Sequence, residues 1–185
     1  MSVRNGFTLL ELMITLAILA IVVTLAAPPM SGLVYDNRLT TTANAFVADL
    51  NLARSEAMKR GTTVVVCRTD TPFAAAPVCG SGTNKDWAAG YVIFVDENGN
   101  DAYDNGIDVD VRIGEPLEGT MTLVSDTDAQ TLLSFNRLGG LDSEPADGVA
   151  ELALCDHRGS ASRRLIQVGL TGRPALAVTD GSCTP

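Results

Sequence analysis

Three kinds of side chain in this 185-residue chain suggest nucleophilic or metal chemistry: one histidine, four cysteines and an acidic turn. The sole histidine is His157, so a paired-histidine metal or catalytic site is excluded. It follows Cys155 and Asp156, but a cysteine expected in a disulfide has no thiolate to offer as a nucleophile. Ser160 and Ser162 lack the G-x-S-x-G frame that exposes a catalytic serine. No phosphate-cradling glycine loop and no metal triad is found. The chain is therefore expected to be no enzyme, with no catalytic residue, no cofactor and no small-molecule substrate.

The acidic turn places Asp96, Asn98 and Asn100 at alternate positions, with Asp104 and Asp108 following. Oxygen ligands so spaced suit Ca²⁺, but the sixth position is Asp101 where an EF-hand takes Gly, and the twelfth is Ile107 rather than Glu. A polar hairpin turn without metal is the expectation. The four cysteines form no C-x-x-C pair, which fits disulfides in an exported domain. Three pairings remain open. The nearest-neighbour one is preferred: Cys67 with Cys79, around a loop holding Pro72 and Pro77, and Cys155 with Cys183, pinning the tail. A bridge of this kind contributes roughly 3 kcal/mol.

Acidic residues number 22 against 13 basic, a net charge of −9, which excludes a protein whose whole surface binds nucleic acid. The charge is polarised. Residues 86–151 hold 15 acidic and two basic side chains, whereas residues 152–185 hold Arg158, Arg163, Arg164 and Arg173 against Asp156 and Asp180. A local contact with phosphates at Arg163, Arg164 and Arg173 is one reading. Solvated surface arginines, or contacts to a neighbouring subunit, are preferred.

These groups need a scaffold, and 46% hydrophobic with 19% charged residues is the composition of a folded chain. Phe7 to Ala27 is a 21-residue apolar run with one charge, Glu11. As a helix it spans about 31 Å, the thickness of a bilayer core. The flank MSVRNG carries Arg4 and the initiator amine, which leaves the rest of the chain outside the cytoplasm. An ordinary signal peptide fits less well, because the run is long and Pro28-Pro29 crowd the small-residue site at its end. Glu11 is costly there and needs a partner. A cut after Gly6 would supply one, since the new Phe7 ammonium stands at i to Glu11 at i+4.

Pro28 and Pro29 are expected to interrupt or kink the helix. Beyond them Leu39, Ala43, Phe46, Leu50, Ala53 and Ala57 recur every three or four residues, one apolar stripe, with Asp36, Arg38, Asp49, Arg54, Glu56, Lys59 and Arg60 opposite. Gly61 is the stop. Strands are expected at 62–68, 90–96, 109–113, 121–124, 132–135, 149–155 and 164–169, separated by Gly, Asp and Asn. The fold class is α+β, a long N-terminal helix packed on a β-rich antiparallel head.

Gly6-Phe7-Thr8-Leu9-Leu10-Glu11-Leu12 before an apolar run resembles the leader of type IV pilins and pseudopilins. Ala53 to Gly61, Trp87 to Tyr91, Val95 to Asn100, Ser134 to Gly139 and Leu170 to Arg173 are similar, in kind and order, to the FimT, FimU and GspH group. The resemblance implies a pilin-like fold and a minor pilin that takes part in assembly and priming of a type IV pilus. It implies cleavage by prepilin peptidase between Gly6 and Phe7, N-methylation of Phe7, and Glu11 as the assembly carboxylate. The implied organisation is a leader over 1–6, a transmembrane and filament-core helix over 7–29, an amphipathic helix over 30–60 and a globular head over 61–185. The implied partners are other minor and major pilins, the peptidase and the inner membrane. The protein would cross that membrane once, head in the periplasm, and then join the pilus at the cell surface. Two alternatives accompany this reading: a type II secretion pseudopilin of the GspH kind, and a DNA-binding minor pilin for transformation. DNA-uptake members carry Gly-Arg-x-Arg near the C-terminus. Gly172-Arg173-Pro174-Ala175 keeps only the first arginine.

Overall fold

Helix α1 (Leu9–Arg60) precedes eight strands in the computed structural model of the protein: β1 (Val64–Arg68), β2 (Tyr91–Val95), β3 (Val109–Gly114), β4 (Thr122–Ser125), β5 (Leu132–Phe135), β6 (Val149–Cys155), β7 (Arg164–Gly169) and β8 (Pro174–Val178). The structure describes residues 6–81, 84–126, 131–142, 145, 147–179 and 181–183, and only the backbone of 25–31. The expected leader residues 1–5 lie outside the described residues. Two compact units are present, Met1–Arg38 and Leu39–Pro185.

The stripe read from the sequence is the buried face of α1. Leu39, Ala43, Leu50, Ala53 and Ala57 are fully buried, and Phe46 nearly so. Two antiparallel four-stranded sheets supply the cover, in the orders β3-β2-β1-β5 and β4-β6-β7-β8. The same core cluster takes Val64, Val66, Ile93, Val95, Leu133 and Phe135 from the first sheet, and Leu152, Leu154, Ile166 and Val168 from the second. Alanines in the stripe let backbone approach backbone. Phe46 fills the wider space, meeting Trp87 and Tyr91 edge-on at 6.0 and 5.0 Å between centroids.

Strands β1 and β2 are buried at every position, although antiparallel sheets commonly leave one face in water. Val64, Val66, Ile93 and Val95 face the main core. Val65, Cys67, Val92 and Phe94 form a second cluster on the other face, with Cys79, Tyr103 and Leu132 packed against it. Period-2 alternation is thereby masked, and the strands read as continuous runs of Val, Ile and Phe.

Three features depart from the sequence reading. The helical backbone of α1 runs without a break through Pro28 and Pro29. Strand β8 is not among the strands expected from the sequence, and its first residue is Pro174. It is tolerated because β8 is an edge strand and Pro174 its first residue, where no ladder hydrogen bond is demanded. Asp49, placed on the polar face, is buried. It stands three residues after Phe46 and one before Leu50, at the margin of the stripe. There its Oδ2 accepts the Tyr91 hydroxyl at 2.5 Å and its Oδ1 lies 3.1 Å from Arg112 Nε. A side chain at the edge of an apolar face is buried when the covering strand brings a donor to it.

This bond ties α1 to β2, and its removal is directly measurable. Asp49→Ala leaves the Tyr91 hydroxyl without its acceptor and should cost about 2 kcal/mol, with Tyr91→Phe costing about 1 kcal/mol. Urea unfolding followed by the fluorescence of Trp87, the only tryptophan, gives both values. Burial, and next the hydrogen bond to Asp49, push the Tyr91 hydroxyl far above its ordinary range, against a smaller opposing effect of Arg112. The folded state therefore keeps this proton after the unfolded chain has lost it, and stability falls as pH rises above about 10. Tyr91→Phe should flatten that alkaline slope; an unchanged slope would assign it to other groups.

Candidate functional site

Phe7 is 82% exposed, and α1 begins two residues later. Thr8 caps it: its Oγ1 accepts the Glu11 amide at 3.2 Å, and its carbonyl accepts the Leu12 amide at 3.2 Å. Thr8-x-x-Glu11 has the spacing of a capping box, a local signal missed in the sequence. Glu11 thus sits in the first turn, where unpaired amides favour a negative charge. The cap uses the backbone amide of Glu11 and not its carboxylate.

From Leu9 to Val23 every large apolar side chain is more than half exposed, on all sides of the helix. A helix apolar all round does not rest in water and requires lipid or other apolar helices. Two threonines on it are made compatible with such surroundings. Thr15 donates its hydroxyl to the Leu12 carbonyl and Thr24 to the Ile21 carbonyl, both at 2.8 Å. Among the described residues no helix is long and apolar enough to cross a membrane. The described side chains of the apolar run stop at Thr24, short of Leu25, Ala26 and Ala27.

All four cysteines are paired, Cys67 with Cys79 and Cys155 with Cys183, with Cα atoms 5.5 and 6.0 Å apart. The first bridge closes its loop over Arg68, whose side chain is only 2% exposed. The Gly80 amide donates to the Arg68 carbonyl at 2.6 Å, and a Cβ on Gly80 would collide with the Arg68 guanidinium. The buried charge is met by Asp70 Oδ1 at 2.6 Å. Arg68 Nε has no hydrogen-bond partner among the described residues. Cys79 packs on the second core cluster, so the loop is also the lid of that cluster.

The acidic turn consumes most of its own carboxylates. Asp96 accepts the amides of Gly99, Asn100 and Asp101. Asp108 accepts those of Glu97 and Asp104. The side-chain amides of Asn98 and Asn100 hold the Asp104 carboxyl below its usual range. Asp101, the position where an EF-hand takes Gly, adopts φ 56°, a left-handed conformation that Asp tolerates. Its carboxylate accepts the Ser134 hydroxyl. The arrangement is a self-tied hairpin end that closes the rim of β2 and β3.

The three C-terminal arginines do not form one patch. Arg164 opens β7 opposite Val178, and Arg173 lies just before β8, past the β7–β8 turn. Strand rise separates the two ends of that hairpin by roughly 17 Å. Arg164 donates to the Ser162 carbonyl. Arg163 has a buried Nε, and its guanidinium lies where a Cβ on Gly181 would stand. Arg173 is exposed and makes no hydrogen bond or ion pair among the described residues. Nearby, Arg158 pairs with Asp156 at 2.8 Å. Burial alone would raise the Asp156 carboxyl, but the side-chain and backbone hydrogen bonds of Arg158 hold it below its ordinary value.

Residues 42–172 match the family of type II transport protein GspH, and residues 1–27 match the prokaryotic N-terminal methylation motif. The chain is 35% identical to pilin-like protein PilA1 of Thermus thermophilus over 105 residues, 56% of this chain and 55% of that protein. It thus spans about half the length of the curated relative it matches. Its fold is similar to that of the type IV minor pilin FimU of Pseudomonas aeruginosa in two crystal forms. In one, the TM-score is 0.59 at 22% identity, covering 80% of this chain and 96% of that one. In the other, the TM-score is 0.57 at 21% identity, covering 78% and 99%.

The packing of Gly80 on Arg68 yields a sharp test. Gly80→Ala should lower stability by about 2 kcal/mol, because the added methyl must displace a buried, ion-paired guanidinium. Unfolding of the oxidised full chain by urea, monitored at Trp87, measures it. Ala at Gly99, where nothing lies near the Cβ position, shows the separate cost of a positive φ.

Proposed function

Since the chain belongs to the GspH family, whose pattern covers residues 42–172, we propose that it is a minor pilin of a type IV pilus, made as a prepilin and built into a filament. The family and the fold are those of pilin structural proteins, and the proposed role is mechanical rather than catalytic. The observation that carries the reading is the sequence Gly6-Phe7-Thr8-Leu9-Leu10-Glu11 at the head of an apolar helix that finds no cover in its own chain. Cleavage after Gly6 would free the Phe7 amine for methylation. The same helix would be stored in the inner membrane as a single span, head in the periplasm, and would then exchange lipid for the apolar helices of other pilins.

Glu11 gives this exchange its register. A carboxylate in an apolar environment costs a few kcal/mol unless paired, and the methylated amine of an adjacent subunit is the one cation the assembly itself supplies. Prepilin peptidase, other minor pilins and the major pilin are the partners this scheme needs. The head, with two disulfides and a core wrapped on α1, would be the part that neighbouring heads recognise. The family of type II transport protein GspH supports a second reading, a secretion pseudopilin with the same processing. DNA binding at Arg163, Arg164 and Arg173 has less support, because those groups are spread along a hairpin, the Arg163 Nε is buried and Arg164 bonds to the Ser162 carbonyl.

Peptide mass spectrometry of filaments sheared from the cell surface should find a chain beginning at N-methylated Phe7. The processed peptide confined to the envelope would favour the secretion pseudopilin. A chain beginning near Ala27, or one keeping Met1, would sink both. Glu11→Val should be cleaved and methylated normally yet fall about tenfold in the sheared fraction, the loss expected for one unmade ion pair in a low dielectric.

A further inference from the structure

Three elements meet through glycines beside the C-terminal end of α1. A Cβ on Gly139 would stand 2.7 Å from Met58 Sδ, one on Gly140 would stand 2.9 Å from the Leu170 carbonyl oxygen, and one on Gly172 would collide with the Gly139 carbonyl. Arg54 Nε donates to that same Gly139 carbonyl at 2.8 Å, and the Leu141 amide to the Leu170 carbonyl at 3.0 Å. The two turns and the helix end are thus locked together. They enclose an open cleft of about 480 Å³ lined by Arg54, Asn136, Leu138, Gly140, Thr171 and Arg173.

The chemistry of the cleft is at odds with the rest of the molecule. In a chain of net charge −9 its lining holds two arginines and no acid. Arg54 spends only Nε on the protein in the bonds described, which leaves its terminal amino groups for a ligand. Two guanidiniums with the Asn136 and Thr171 side chains suit planar oxyanions. Leu138 lines the same cleft at 82% exposed, and Met58 beside it is also exposed. Arginines next to exposed apolar side chains mark a protein-binding surface more than a phosphate-backbone track.

We propose that this cleft seats the β3–β4 loop, Glu115-Pro116-Leu117-Glu118, of a second copy of the chain. The loop is the complementary object. Glu115 and Glu118 are exposed, and their carboxylates hold no hydrogen bond or ion pair among the described residues, unlike Asp96, Asp104 and Asp108, which are spent within their own turn. Between them the Leu117 amide donates to the Ala88 carbonyl at 2.8 Å and its side chain packs on the main core. The loop is therefore held in place with its two carboxylates outward, so little order is lost on docking. The proposal rests on the chain's being an assembling subunit. The contact is heterologous, cleft to loop, and is therefore not that of a two-fold dimer.

A charge-preserving variant turns the contact into a covalent record. Arg173→Lys puts a primary amine in the cleft, and a carbodiimide joins it only to a carboxylate in direct contact. In membranes from cells expressing the full chain, R173K should give a cross-linked dimer whose peptide joins position 173 to Glu115 or Glu118. The yield should fall about tenfold with E115Q/E118Q in the same chain, and fall in 1 M salt. The melting temperature of R173K should match the wild type, because Arg173 is exposed and bonds to nothing described. A dimer formed equally by the wild type through Lys59 and Lys85, a link from 173 to carboxylates elsewhere, or no link at all overturns the proposal. Duplex DNA binding abolished by R173E, with no such link, assigns the cleft to nucleic acid instead. Unmethylated Phe7 in the same preparation marks failure of the assembly reading; a methylated Phe7 without the link marks failure of the cleft alone.

Discussion

Everything in this protein depends on α1 presenting two different apolar surfaces along one helix. Up to Thr24 the described side chains are apolar in every direction, and from Leu39 to Ala57 they are apolar along one stripe. The hydrophobic effect is non-directional and scales with area, so each surface must be covered by something of matching shape. A stripe is covered by a chain folded back upon it, which the two sheets do. An all-round surface has no such solution within one small domain and must be covered by lipid or other helices.

The head solves a related problem. A sheet layer covering one helix leaves its far face bare. In the first sheet that far face is closed by the disulfide loop and the acidic hairpin end, around Phe94 and Tyr103, whose rings meet edge-on at 5.4 Å. Closing it has a consequence for charge. Arg68 lies beneath the loop, where an unpaired guanidinium would be prohibitive, and Asp70 and the bridge hold it in place. Asp49 is handled in the same manner on the opposite face, with Tyr91 and Arg112 as partners. Asp49 thus sits where α1 meets the first sheet and takes its partners from β2 and β3, whereas Arg68 takes Asp70 from the loop that follows its own strand.

Much of this was legible in the residues. The helix stripe and seven of the eight strands follow from period 3.6 and β-branched runs, and of the three open disulfide pairings the preferred nearest-neighbour one is present. Strand β8 was not legible, because a proline forbids a central strand but not an edge, and edge position is a property of the assembled sheet. The Thr8 cap was local and readable, but Glu11 was read only as a charge in an apolar run and not as a residue of the capped first turn. Asp49 was assigned to water with the residues opposite the stripe, yet it stands at the stripe's margin, and only the arrival of Tyr91 decides which side of that margin is wet. The arginines of the C-terminal segment cluster in sequence, but strand geometry spreads them.

What the sequence determines by itself is whatever local chemistry and periodicity dictate: the Gly6-Phe7-x-x-x-Glu11 signature, an apolar run too long for a small core, a striped helix, and strands bounded by glycine and asparagine. These signals act over a few residues, so no partner is needed to interpret them. Tertiary structure alone decides the relations between residues far apart in the chain. It joins Asp49 to Tyr91 across 42 residues and Arg54 to Gly139 across 85, and puts Arg173 in the same cleft as Arg54. The physical reason is that burial and pairing are settled by which surfaces meet, and glycines such as Gly139 and Gly172 let backbones approach closely enough for that meeting to occur.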